Sequence, residues 1–356
     1  MGVGMESYFL PAERLGEFVG HLAKFGKIYR CEQTESGPRI KLVEEKDYGE
    51  WNFPAVRADE PAKYLFIKAK RKIAEYFDDK WRKITIEEEP KVIIGLKGCD
   101  LAAIKIWDKV FREDDQYKDP FYIAARENAL LVGADCTGIT PYCFCNLLGN
   151  GPYPAEGEFD LSLSPVEGGF VLFVGTEKGK KALEGFSLSP APAEALQKIE
   201  SRRRELARKL DEQNAKYKTD TPWRELVEKN PDSPAWAKHG ATCVACAACT
   251  YVCPTCFCFQ IYDTVRPDGK YERFLALDSC KYPRFSFMAG GLNPRGRLVE
   301  RFKHRYNHKF FHYHWRYEIY ACTGCGRCIE NCMGAIDMRE TLKSVEVMKE
   351  TAKTEA

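Results

Sequence analysis

The sequence predicts a two-part fold: an α/β amino-terminal domain with a short parallel sheet, then a mainly helical, ferredoxin-like dicluster domain. In the first half, short apolar runs alternate with a helical pattern, which is typical of a βαβ unit. In the second half, eight of the sixteen cysteines form two copies of one spacing. We place the domains at 1–225 and 226–356, with an insertion at 259–321 inside the second.

The amino-terminal half contains the elements of the predicted sheet. Residues 62–77 have the periodicity of an amphipathic helix, and Asp100 can cap a helix that runs to about residue 111. A charged helix is expected at 190–216, before a proline-rich boundary. Three apolar runs have the length of buried strands: 91–96, 129–133 and 170–175.

Composition limits the classes of partner and compartment. The chain has 356 residues, 44% of them hydrophobic and 30% charged, with a net charge of +2. So small a charge does not favour nucleic acid or an anionic membrane as a partner. No apolar run approaches the roughly 18 residues of a membrane span, and no secretory signal precedes the first domain. Many thiols without an export signal favour metal ligation in a reducing compartment, the cytoplasm.

The repeated cysteine spacing is C-x2-C-x2-C-x3-C, the run found in bacterial ferredoxins, and two copies predict two [4Fe–4S] clusters. In two-cluster ferredoxins, the last cysteine of each run ligates the other cluster. Glycine at 324 and 326 lets backbone amides approach sulfur closely, while Met333 stands where proline is usual. Two sets of four thiols exceed what a tetrahedral zinc site needs. We assign cluster 1 to Cys243, Cys246, Cys249 and Cys332, and cluster 2 to Cys322, Cys325, Cys328 and Cys253.

A third site is predicted in the α/β domain. Cys99 and Cys136 each follow a predicted strand, and Cys143 and Cys145 lie in the next loop. The carboxyl edge of a parallel sheet is where such folds place ligands. We expect these four thiols to hold another [4Fe–4S] cluster, the alternative being four buried, reduced cysteines.

The other cysteines leave two interpretations open. Cys256, Cys258 and Cys280 can form a further metal site with an outside ligand such as Asp278, or they can line a cluster and tune its potential. Cys31 stands alone and is predicted to be structural. The basic, aromatic segment 301–317 contains four histidines, but it lacks a supporting carboxylate pattern. We interpret it as a packed, partly exposed element or a docking surface.

Several segments resemble one family in the same order: GLKGCD (95–100), CTGITPYCFCN (136–146), CVACAACTYVCPTCFC (243–258), LDSC (277–280) and CTGCGRC (322–328). The family comprises beta subunits of archaeal cytosolic sulfhydrogenases and the corresponding iron–sulfur subunits of anaerobic sulfite reductases, and the resemblance covers about residues 60–335. It implies an iron–sulfur electron-transfer subunit beside a FAD-containing, NAD(P)H-linked subunit. Electrons would pass between that flavin and a catalytic hydrogenase or a sulfur, sulfite or related reductase.

The chain has no signature of a substrate or nucleotide site. It contains no G-x-G-x-x-G after a strand, no P-loop and no G-x-S-x-G turn. We therefore assign no catalytic residue to it. Two other hypotheses remain: a self-contained iron–sulfur oxidoreductase that binds flavin or substrate in its α/β domain, and a zinc-organised interaction module.

Overall fold

The computed structural model describes residues 5–77 and 80–354. Its strands are β1 (Ser7–Pro11), β2 (Lys27–Thr34), β3 (Gly37–Leu42), β4 (Lys70–Phe77), β5 (Lys80–Lys83), β6 (Lys91–Leu96), β7 (Ala129–Ala134), β8 (Leu161–Val166), β9 (Gly169–Val174), β10 (Ser189–Pro190), β11 (Phe259–Val265) and β12 (Tyr271–Leu277). Its α-helices are α1 (Leu15–Leu22), α2 (Gly98–Asp108), α3 (Pro120–Glu127), α4 (Glu177–Ala182), α5 (Ala193–Asn214), α6 (Trp223–Lys229), α7 (Pro234–Gly240), α8 (Ala248–Tyr251), α9 (Leu298–Tyr306), α10 (Tyr313–Tyr317), α11 (Arg327–Glu330) and α12 (Met338–Thr354).

The chain forms two compact units that exchange segments. Unit 1 contains Met1–Ala62, Glu88–Ala215 and Thr323–Gly326. Unit 2 contains Lys63–Glu87, Lys216–Cys322 and Arg327–Ala356. The division near residue 216 lies close to the proline cluster. Two short segments break the simple order along the chain: Lys63–Glu87 belongs to unit 2 and Thr323–Gly326 to unit 1.

Unit 1 is built on an eight-stranded mixed sheet in the order β10-β1-β9-β8-β7-β6-β2-β3. The central strands β2, β6, β7 and β8 pair in parallel. Every residue of β6 and β7 is buried, as expected for parallel strands covered on both faces. The predicted βαβ unit is therefore present, and α2 follows β6 after a single residue. The first residue of this helix is Gly98. Only glycine fits there, because a Cβ would lie 2.5 Å from the Tyr153 carbonyl oxygen.

Two sequence-based expectations for strands and helices need correction. Residues 62–77 are not a helix: a 3-10 turn at Ala62–Leu65 leads into β4. β4 pairs with β12 on one side and β5 on the other, so long-range pairing overrides a local helical pattern. The third predicted strand is β9, which is antiparallel to β8 in a hairpin instead of extending the parallel set.

Unit 2 combines short helices with a four-stranded antiparallel sheet in the order β11-β12-β4-β5. The hairpin β11–β12 lies inside the predicted insertion, so this region is less uniformly helical than expected. None of the described residues in these four strands is buried. Across the described residues, no helix has the length and apolar character that crossing a membrane requires.

Candidate metal centres

The two ferredoxin-type loops share one backbone conformation. Ala245 and Ala247 have φ values of 54° and 66°, and Gly324 and Gly326, at the matching positions of the second run, have 68° and 76°. Left-handed residues between cysteines turn successive backbone N–H groups inward, which suits a bound anion. Glycine is required in the second loop, since a Cβ at Gly324 would lie 2.5 Å from the backbone of Cys145.

In unit 2, the cysteines assigned to cluster 1 surround one cavity. The cavity opens to solvent, and the space within it and its mouth is about 530 Å³. Its wall includes Cys243, Cys246 and Cys249 from the first run, and both Cys332 and Cys328 from the second. The structure thus brings the last cysteine of the second run to the first three cysteines of the other run. Apolar and basic side chains complete the lining, among them Phe302, Lys281 and Arg305.

Close contacts between Thr242, before the first run, and Gly334, after the second, fix the approach of the two runs at this cavity. The Thr242 hydroxyl donates to the Gly334 carbonyl over 2.8 Å. A Cβ on Gly334 would lie 2.2 Å from the Thr242 carbonyl oxygen, so the close approach requires glycine. Cys332 therefore reaches the first loop because the chain after it packs directly against the start of that loop.

Arg305 faces this cavity with an unused donor. Arg305 is 6% exposed, and its Nη2 donates to the Cys249 carbonyl over 3.3 Å. The buried Nε has no hydrogen-bond partner in the described part of the chain. Burial would lower the pKa of Arg305, but the surrounding Cys328 and Cys249 thiolates raise it well above its usual value. A buried guanidinium with an unsatisfied donor calls for an anionic acceptor.

A second group of contacts joins the end of the first run to the start of the second. Lys309 Nζ donates to Cys253 Sγ at 3.3 Å and to the Ala321 carbonyl at 2.7 Å. Thr255 Oγ1 also donates to Ala321 O, at 2.7 Å. Cys253 is therefore held beside the residue that immediately precedes Cys322. This arrangement supports the exchange of the fourth cysteines between the two runs.

The charge of the interior of unit 2 fits anionic clusters. Among its described residues, seven basic side chains are buried but only one acidic side chain, Glu346. A cluster held by four thiolates is a net anion, and buried charges must be compensated. The described residues contain no group of three His, Cys, Asp or Glu side chains able to hold a single metal ion. The buried basic residues are Lys63, Lys281, Arg301, Arg305, Lys309, Arg327 and Arg339.

The cysteines assigned to cluster 2 are divided between the two units. Cys325 belongs to unit 1, whereas Cys322, Cys328 and Cys253 belong to unit 2. Within unit 1, the Arg57 Nε group donates to the Cys325 carbonyl over 2.9 Å. Phe144 N donates to the Gly324 carbonyl over 2.8 Å, so this part of the second loop packs on the Cys143–Cys145 loop.

The amino-terminal thiols follow the carboxyl ends of neighbouring parallel strands, as predicted. Cys99 lies in the first turn of α2, after β6, and Cys136 comes two residues after β7. Burial raises the pKa of Cys136 to about 12, with a further contribution from Cys143. Burial raises the pKa of Cys145, and Cys136 and Cys143 raise it further. These three thiols are therefore close enough to interact electrostatically.

A buried lysine accompanies these thiols. Lys97 is fully buried, and its Nζ donates to the Asp135 carbonyl over 2.7 Å. Burial lowers the pKa of Lys97, whereas Cys136, Cys31 and Cys99 favour its charged form. Cys31, predicted to be structural, is a core residue of β2 near this lysine.

The remaining cysteines of unit 2 form two contacts. Cys256 acts on the pKa of Cys253, and Cys280 on that of Cys258, so each pair of thiols is close together. The Cys258 thiol lowers the pKa of Cys280. The three residues Cys256, Cys258 and Cys280 are thus divided between two pairs, which favours a role in lining the cluster region.

The segment 301–317 supplies residues that our sequence interpretation missed. Arg301, Arg305 and Lys309 recur every four residues and are all buried. Phe302, Tyr306 and Phe310 follow the same interval and are buried with them. In the sequence, this repeat of a basic and an aromatic residue every four positions was the pattern that could have identified these buried residues. The turn Asn307–His312 is π-helical, a feature frequent at functional sites.

Comparisons with known proteins agree with this geometry. Residues 242–336 match a family model described as a 4Fe-4S dicluster domain. Sulfhydrogenase 2 subunit beta of Pyrococcus furiosus is 30% identical over 339 residues, which cover 94% of this chain and 97% of that protein. The chain belongs to the family of that beta subunit. No solved structure matches it. The family resemblance identified from the sequence is therefore confirmed.

Proposed function

We propose that this chain is the iron–sulfur electron-transfer subunit of a cytoplasmic multi-subunit oxidoreductase. It would relay electrons between a catalytic subunit, of the hydrogenase or sulfur, sulfite or related reductase type, and a partner that contains FAD and reacts with NAD(P)H. The observation that carries this proposal is the cavity of unit 2, where the first three cysteines of one ferredoxin run lie together with the last two of the other. The relative is itself named as a subunit of a sulfhydrogenase, which supports the presence of partners.

The residues present fit two [4Fe–4S] clusters. Cys243, Cys246, Cys249 and Cys332 would hold the first, and Cys322, Cys325, Cys328 and Cys253 the second. A [4Fe–4S] cluster supplies one-electron transfer when bound. The chain provides thiolate ligands, left-handed loops that direct amides inward, and a buried excess of positive charge that offsets the negative charge of the cluster.

A third [4Fe–4S] cluster in unit 1 is part of the proposal. Its ligands would be Cys99, Cys136, Cys143 and Cys145. The support is their position after parallel strands, the mutual influence of three of the thiols, and the buried ammonium of Lys97. Gln213 and Asn214, at the end of α5, both donate to the Cys143 carbonyl, over 2.8 and 3.0 Å, and so fix the loop.

Replacing Cys246 by alanine in the assembled complex tests the relay. The variant loses a thiolate at the first cavity, so electron flow from NAD(P)H to the terminal acceptor should fall at least tenfold. Reduction of the partner flavin by NAD(P)H should persist, since it precedes the relay. Both rates are measured on the same oxygen-free preparation, by flavin absorbance and by acceptor consumption.

Val265→Ala is the matched control, because Val265 is an exposed residue of β11 in the same unit and does not line the cavity. It should leave both rates unchanged. Undiminished electron flow in Cys246→Ala would show that the path does not use this centre, whereas loss of flavin reduction in that variant would place the chain upstream of the flavin.

A further inference from the structure

Lys309 is buried against a cysteine sulfur instead of a carboxylate. The side chain is 3% exposed. Its Nζ lies 3.3 Å from Cys253 Sγ, 2.8 Å from Thr255 Oγ1 and 2.7 Å from the Ala321 carbonyl oxygen. An ammonium has three hydrogens to donate, and these three acceptors account for all of them.

The charge of Lys309 has no carboxylate counterion in the described part of the chain. A buried ammonium without an opposite charge is costly, and two of its three acceptors, the hydroxyl and the carbonyl, are neutral. The third, Cys253, would carry negative charge as the thiolate ligand of a cluster.

We propose that Lys309 is a positioning residue that sets the reduction potential of the cluster ligated by Cys253. The inference rests on the proposed function, in which Cys253 completes cluster 2. Reduction adds one negative charge to a cluster, and a fixed buried cation at hydrogen-bond distance stabilises that added charge in a region of low dielectric constant. Hydrogen bonds to the sulfurs are among the determinants of cluster potential. Lys309 should therefore raise the potential of cluster 2.

The first cavity lacks an equivalent contact. There, Lys281 Nζ donates to the carbonyls of Arg301 and Phe302, at 3.1 and 3.4 Å. Arg305 donates to the carbonyl of Cys249 instead of its sulfur. In the described structure no lysine or arginine donates to the sulfurs of the four cysteines assigned to cluster 1.

Redox titration of the full chain, followed by electron paramagnetic resonance, tests this inference through Lys309→Gln. At the ambient potential that half-reduces cluster 2 in the natural protein, the ratio of reduced to oxidised cluster should fall at least tenfold in the variant. For a one-electron couple, tenfold corresponds to about 59 mV. The signal of cluster 1 should keep its midpoint. Lys309→Arg, which retains the positive charge, should restore most of the ratio.

Lys303→Gln is the matched control, because Lys303 precedes Lys309 in the same segment and bonds the Pro231 carbonyl at the surface. It should shift neither midpoint. An unchanged midpoint for cluster 2 in Lys309→Gln, with both clusters present, overturns the inference and leaves the relay intact. Absence of cluster signals from the natural chain would instead overturn the proposed function.

Thr255→Val keeps the inference testable if Lys309→Gln loses the cluster. The substitution leaves the lysine in place, but it removes one of the three acceptors that hold its ammonium and the hydroxyl that lies 3.2 Å from Cys253 Sγ, so the stabilisation of negative charge at Cys253 Sγ should weaken. The reduced-to-oxidised ratio of the same cluster should fall at least threefold. A ratio equal to that of the natural chain overturns the inference.

Discussion

At the scale of single residues, the two ferredoxin loops adopt the same left-handed backbone conformation with different residues. The second loop uses Gly324 and Gly326, where the left-handed backbone costs little. The first loop places Ala245 and Ala247 in the same region, which costs an L-residue about 1–2 kcal/mol each. Such strain persists only where the surrounding structure holds it in place, and the proposed cluster, when bound, would do so here.

Replacing Ala245 by glycine should relieve part of this strain. We expect the free energy of unfolding of the oxygen-free, cluster-loaded chain to rise by about 0.5–1 kcal/mol, because glycine adopts positive φ without a steric penalty. Denaturant unfolding followed by circular dichroism measures the change. Ala237→Gly, at an exposed position within α7, is the control and should destabilise by about 0.5–1 kcal/mol. Destabilisation of similar size in both variants would contradict a strained loop.

At the scale of elements, the segment Leu298–Tyr317 provides the interior of unit 2. Its helical turns bury basic and aromatic residues on one side. On another part of the segment, the rings of His304 and His308 stack at 5.9 Å. Burial lowers the pKa of His304 to about 3 and that of His308 to about 4. Both imidazoles are therefore neutral in the folded chain near neutral pH, and a basic neighbour such as Arg295 adds to the effect.

These histidines should make stability depend on pH. In the unfolded chain they bind protons below about pH 6.5, whereas the folded chain does not until about pH 3–4. The unfolded state thus binds more protons in this window, and stability is lost as pH falls from about 6.5 towards 4. When the pH falls from 7.5 to 5.5, the free energy of unfolding of the natural chain should fall by about 2 kcal/mol more than that of the double variant His304→Gln/His308→Gln. Denaturant midpoints at both pH values measure this difference, and equal losses would refute it.

The exchange of fourth cysteines between the runs can be tested by comparing spectra of variants. Cys332→Ser should alter the same electron paramagnetic resonance signal as Cys246→Ser, because both residues line one cavity. Cys253→Ser should alter the signal affected by Cys325→Ser. If Cys332→Ser instead matched Cys325→Ser, each run would hold its own cluster and the assignment would be wrong.

The sequence predicted those parts of the structure that depend on local spacing. The cysteine runs predicted the dicluster domain, and the apolar run at Lys91–Leu96 predicted a buried strand of the βαβ unit. β4 was missed because its pairing with β12, about two hundred residues later, outweighs its helical periodicity. Lys309 was missed because an isolated lysine in a basic segment looks solvent-exposed, and only folding places it at Cys253 Sγ.

At the scale of the whole molecule, the two units are interleaved along the chain. Lys63–Glu87 joins unit 2, although it is flanked by residues of unit 1. Thr323–Gly326 joins unit 1, although it lies inside the second ferredoxin run. Each unit thus contains cysteines of the proposed centres together with a buried cation.

The most direct test of the account is the content of iron and acid-labile sulfide per chain, measured on protein purified without oxygen. Two ferredoxin-type clusters require about eight of each, and the proposed third cluster raises both to about twelve. The account predicts about twelve, falling to about eight in Cys136→Ser. A value of about eight in the natural chain would remove the third cluster and leave the relay. Zinc without acid-labile sulfide would contradict the central claim that this chain carries electrons.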